Sequence, residues 1–141
     1  DNLMSMDLKN LGDNKYETQS MLVQKLSQLA KELNVHIHFV CHPRKATSFL
    51  RKEDIAGTGD LTNIADNVYI MHRVNEDFKI RTREMFRWKE DNPIYQFTNI
   101  LEICKNREFG WQDTMIGMYF ELESKRLLNT PNEQKHYGWE N

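Results

Sequence analysis

The chain has 141 residues, 39% of them hydrophobic and 28% charged, with a formal net charge of −2. That length supports one hydrophobic core and excludes two full domains. The charge balance excludes a polycation drawn to nucleic acid as a whole, so any grip on a phosphate backbone falls to local basic loops. No apolar run reaches the roughly 20 residues that cross a bilayer, and no secretory signal pattern is visible. The two cysteines, Cys41 and Cys104, lie in apolar runs and read as small core residues of a reducing compartment.

The chain opens on Asp1 with no apolar strand before it, and reads as a piece of something longer. Residues 7–15 are polar and contain a glycine, the composition of a loop. From 16 to 33 the pattern changes: Leu22, Val23, Leu26, Leu29, Ala30 and Leu33 recur at helical spacing, which predicts an amphipathic helix ended by Asn34. Residues 35–41, VHIHFVC, are rich in β-branched and aromatic side chains and predict a strand. Pro43 stops any ladder there, having no N–H to give.

Residues 43–60 carry no sustained periodicity. They read as a long loop with a helical turn near 47–53, and a loop of that length is usually functional or disordered. A short helix follows at 61–65, then an apolar strand at 67–73 that reads as central. Residues 74–96 are charged and aromatic, 98–105 and 114–122 predict two more strands, and 106–113 is a turn-rich connection. The tail from 129 is polar.

Several residues could carry chemistry. His42, at the end of the predicted strand, could meet a phosphate, a metal or a carboxylate, or be a satisfied structural histidine. His36 and His38 fall on one face of that strand, yet no acidic or cysteine partner at ligand spacing completes a metal set. Arg44, Lys45, Arg51 and Lys52 are spaced along the loop, a pattern that suits a phosphate backbone as well as a solvated surface. Gly57, Thr58 and Gly59 form a G-x-G just before the short helix. That allows close backbone approach to a ligand but is no P-loop, whose full signature the chain lacks. Residues 78–89 hold five cations, one acid and three aromatics. That mix fits either a single-stranded nucleic-acid surface or an exposed amphipathic helix. Lys105 and Arg107 sit just past a predicted strand end, where a cation can reach a neighbour's phosphate or stay an ordinary surface charge.

Taken in order, D-N-L-M, a helix, V-H-I-H-F-V-C-H-P-R-K, a basic loop, I-A-G-T-G-D-L-T-N-I-A-D-N-V, an apolar strand and E-I-C-K-N-R-E-F-G resemble one family. Over about residues 1–123 the chain is similar to the RecA-type motor of hexameric replicative DNA helicases, the DnaB group with the phage primase-helicases and mitochondrial Twinkle. The resemblance implies that Asp1 ends the Walker B strand and positions Mg²⁺ through water. It implies that His42 senses a γ-phosphate, and that Arg44 and Lys45, with the loop carrying Arg51 and Lys52, contact DNA in a central channel. Gly57, Thr58 and Gly59 match a glycine-rich segment near DNA, and Lys105 and Arg107 match the cationic finger that completes the ATP site of the adjacent subunit.

The fold so implied is α/β: the C-terminal part of a RecA-like P-loop NTPase domain, lacking its Walker A portion. Its sheet is mixed, with the early strands parallel and the last two antiparallel. Residues 1–128 would be the motor part and 129–141 a tail. The implied function is an ATP-dependent helicase motor translocating on single-stranded DNA as a homo-oligomeric ring, a hexamer, in the cytoplasm of a bacterial or phage-infected cell. ATP or another NTP, with Mg²⁺, would be its fuel. Two departures stand out. The Walker A lysine and the water-activating glutamate are not in this chain, so it should not hydrolyse ATP alone, and 74–96 is longer than the family pattern. A RecA- or RadA-type recombinase core, and a non-enzymatic nucleic-acid-binding or assembly module, are the competing readings.

Overall fold

The computed structural model describes residues 14–43, 49–55 and 59–133. The helical periodicity closes as α1, Lys15–Leu33. Its end is a complete Schellman motif. Asn34 takes the left-handed conformation (φ 50°); its N–H reaches the Lys31 carbonyl at 3.4 Å, and the Val35 N–H reaches that of Ala30 at 3.0 Å. Two carbonyls left over by the last turn are thereby satisfied, with Asn tolerating the positive φ.

A 3-10 turn at Lys52–Asp54 stands where a helical turn was expected. The short helix forms as α2, Asp60–Ile64. Then come β1 (Asn67–Arg73), α3 (Glu76–Phe86), a 3-10 turn at Pro93–Gln96, β2 (Asn99–Asn106), β3 (Thr114–Phe120) and β4 (Leu127–Leu128). The helix α3 lies inside 74–96. Asn75 caps it by accepting from the Phe78 N–H at 2.8 Å, with Glu76 and Asp77 in the first turn against the positive end of the helix dipole. Arg87 ends it at φ 53°; Asp113 and Lys125 hold the same left-handed conformation in the two hairpin connections.

The sheet has the order β1-β2-β3-β4, and every pairing in it is antiparallel. The expected pairing of 98–105 with 114–122 is therefore present. Among the described residues the expected parallel strands, and the mixed sheet they would make, are not. Residues 35–41 enter no ladder, and the pairing beside them is a single antiparallel bridge, Pro43 with Ile55. This run lines a cleft of ≈ 620 Å³ together with β1 rather than hydrogen-bonding to it, and a strand exists only with a partner backbone about 4.9 Å away. The strand β1 is also an edge strand rather than a central one. It buries Val68, Ile70 and His72 on one face and exposes Tyr69 and Met71 on the other.

On the buried face, Phe49, Phe78 and Ile100 form one cluster, closed by Phe86, Ile94, Tyr95 and Phe97. Beside it Val68, Ile70 and Cys104 pack with Leu50, Ile55 and Ala65. Burying such side chains contributes about 1.5–3 kcal/mol each. Thr82, fully buried on α3, donates to the Phe78 carbonyl at 2.8 Å and meets the Tyr95 hydroxyl at 2.8 Å. These bonds fix the 3-10 turn against the helix. Gly117 of β3 is required by packing, since a Cβ there would collide with the Phe97 ring.

Candidate functional site

Five of the sequence-derived site residues, Asp1, Arg44, Lys45, Gly57 and Thr58, lie outside the described residues. The others fall into three places.

The first is the basic loop. The Pro43–Ile55 bridge closes its neck, and His42, exposed, sits one residue outside that neck. His42 therefore ends an unpaired segment rather than a strand. On the returning limb, Phe49 is buried at 5% exposure. Arg51 lays its guanidinium over the rings of Phe49 (5.8 Å) and Phe86 (6.0 Å), and its backbone N–H donates to the Asp54 carboxylate at 2.8 Å. Lys52 is exposed. Each cation–π contact of this kind contributes about 0.5–1 kcal/mol and fixes the direction of the charge.

The second is α2 with the K-N-R segment that ends β2. Lys105 Nζ donates to the carbonyls of Thr62 (2.9 Å), Asn63 (3.0 Å) and Ala65 (2.8 Å). Arg107 donates to the Asp66 carboxylate at 2.6 Å and to the Asn63 carbonyl at 2.8 Å. Asn106 donates to the Asn67 side chain at 2.9 Å. The A-D-N and K-N-R motifs thus form one hydrogen-bonded cluster. The two cations sit on the negative C-terminal end of α2, as helix electrostatics favours. Burial lowers the Lys105 pKa, and the charge of Arg107 lowers it further. All three ammonium protons of Lys105 are used, while the Arg107 side chain stays 49% exposed beside Asp66.

Gly59 is the third. It is exposed in an ordinary right-handed conformation (φ −58°), and a Cβ there would meet nothing within 4 Å. Its own backbone conformation therefore does not require glycine.

Sequence reasoning missed the most buried polar pair. His72 Nε2 lies 2.7 Å from Glu102 Oε2, with side chains 1% and 3% exposed. Phe49 stacks on the imidazole at 4.7 Å with an interplanar angle of 11°. Nδ1 of His72 has no hydrogen-bond partner among the described residues. Alternation along β1 carried the signal: His72 falls on the face of Val68 and Ile70, so it must be buried and needs a partner.

Among the described residues no three His, Cys, Asp or Glu side chains are grouped to hold a metal, although His36 and His38 bring their rings to 4.5 Å. No helix among them is long and apolar enough to cross a membrane. Compared with known proteins, the chain matches no family model, and no curated protein matches it significantly.

Proposed function

We propose that this chain is the DNA-contacting part of an ATP-dependent replicative helicase motor, built on the C-terminal half of a RecA-like domain and working on single-stranded DNA within a homo-oligomeric ring. The observation that supports it best is a continuity. The basic loop closed by Pro43 and Ile55 runs on into α2, and the C-terminal end of α2 is held by Lys105 and Arg107. Loop and candidate finger are therefore joined by one short helix, the loop preceding α2 in the chain and the cations binding its C-terminal end. The order of the motifs, H-P-R-K, G-T-G-D, A-D-N-V and K-N-R, supports the same reading.

The nucleotide side of the reading rests on the motif order alone. Lys105 and Arg107, the two described residues assigned to a neighbour's ATP, have donors committed to α2 carbonyls and Asp66. As it stands the Lys105 ammonium has no proton free for a phosphate, and no catalytic step is derived through ATP or Mg²⁺.

The test is binding of labelled oligo(dT) titrated against salt. Backbone contacts release counterions, and each phosphate contacted adds about 0.7 to the slope of log K against log salt for single strands. We expect measurable affinity at low salt, a steep slope, and loss of both in the Arg44→Ala, Lys45→Ala double variant. A chain that fails to bind at low salt would remove the DNA-contacting role and leave an assembly module.

A further inference from the structure

We propose that Phe49 is the positioning residue of the basic loop: its ring moors the returning limb to the buried His72–Glu102 pair and so presents Arg51 and Lys52 to a nucleic-acid backbone. The inference rests on the nucleic-acid reading above. Nothing in the charge pattern of the loop singles Phe49 out; its surroundings do.

The limb from Phe49 to Ile55 is fixed at both ends. At one end Ile55 bridges to Pro43 and packs with Val68, Ile70 and Cys104. At the other, Phe49 is inserted among His72 (4.7 Å), Phe78 (5.6 Å) and Phe86 (5.4 Å between ring centroids). His72 is itself held by Glu102 at 2.7 Å. Between the anchors the chain makes a 3-10 turn, tied by the Asp54 carboxylate to the Arg51 N–H and by the Asp54 N–H to the Arg51 carbonyl at 2.9 Å. Arg51 then lies over two of the same rings, and Lys52 projects to solvent.

Cations on a free loop must be ordered when they bind, which weakens association by about 0.5–1.5 kcal/mol for each rotamer-rich side chain immobilised. Here the backbone beneath Arg51 and Lys52 is already ordered. Phe49 does this without touching the ligand: it acts through Arg51 and the turn.

The test compares three versions of the full chain in oligo(dT) titrations over a range of salt. Phe49→Leu keeps an apolar side chain in the cluster but removes the stacked ring. We expect an affinity loss of about fivefold and a salt slope lower by about 0.7–1.4, the loss of one or two phosphate contacts. Leu128→Val trims a buried core residue of β4 outside that cluster, and should leave affinity and slope as in the parent. Equal losses in both variants would make Phe49 an ordinary core residue and overturn the proposal. So would a Phe49→Leu chain that melts cooperatively and binds as the parent does, while leaving the nucleic-acid reading intact. A parent chain that does not bind removes both. Should Phe49→Leu not fold, Arg51→Ala carries the test: a slope lower by about 0.7 supports a pre-set limb, and an unchanged slope overturns it.

Discussion

The two faces of β1 behave as two different proteins. On one face, Val68 and Ile70 pack with Leu50, Ile55 and Ala65, and His72 packs against Phe49 and Phe78 of α3. On the other, Tyr69 and Met71 are about half exposed and look across a cleft at residues 35–41, which share its lining without pairing. The difference is what packs against each face: Phe78 of α3 and the Phe49–Ile55 limb cover one, while the other borders a cleft.

The largest contrast should come from Phe78, fully buried at the centre of the closed side. Phe78→Ala should cost about 3–5 kcal/mol, read as a lower midpoint in urea denaturation with an unchanged slope. A cost near 1 kcal/mol would mean that the closed side is as loose as the open one.

The two cysteines report on the two sides independently. Burial, followed by the charge of Glu102, pushes the Cys104 thiol up to about 12, while burial alone raises that of Cys41 on the cleft wall. Iodoacetamide at pH 8 should therefore modify Cys41 faster than Cys104, because the thiolate is the nucleophile. Equal rates would place both thiols in one environment. The sign of the stability dependence follows. Because Cys104 holds its proton more tightly when folded, it stabilises the fold fully below pH 9.0, its ordinary value, and that contribution falls as the pH rises towards 12.

Gly117→Ala asks how tightly β3 is locked. The new methyl must displace the Phe97 ring, at about 1–3 kcal/mol. A neutral result would show that Phe97 can swing aside. Asn75→Ala removes the cap of α3 and should cost about 1 kcal/mol in thermal denaturation. Smallest of all, Val40→Ala, 61% exposed near the cleft, should stay within about 0.5 kcal/mol; a cost above 2 would mean that the cleft is closed in solution.

The same contrast governs what the sequence revealed. Local signals were legible: the end of α1 at Asn34, the short helix before 67, the hairpin of 98–105 with 114–122. Each depends on a few neighbouring residues. Residues 35–41 looked like a strand because their composition suits one, but a strand exists only with a partner, and composition does not name it. The α3 helix was half legible, since its inward positions Phe78, Thr82 and Phe86 are diluted by five cations between 78 and 89. At the candidate site, motif order singled out A-D-N and K-N-R, which the fold brings together on α2. It gave no hint that Lys105 would spend its protons on carbonyls, because those carbonyls are freed by a helix end 40 residues earlier. Phe49 escaped notice because a lone aromatic in a basic loop has no periodicity to mark it.

Four non-glycine residues, Asn34, Arg87, Asp113 and Lys125, hold left-handed backbone angles where helices or turns end. Asn and Asp sit there at little penalty, but Arg87 and Lys125 carry long side chains in a conformation that costs roughly 1–2 kcal/mol. These two positions are therefore open to engineering. Exchanging each for glycine would relieve strain in the folded chain, partly offset by the greater freedom of glycine in the unfolded one. A crystallographer seeking a hardier sample could begin with these two codons.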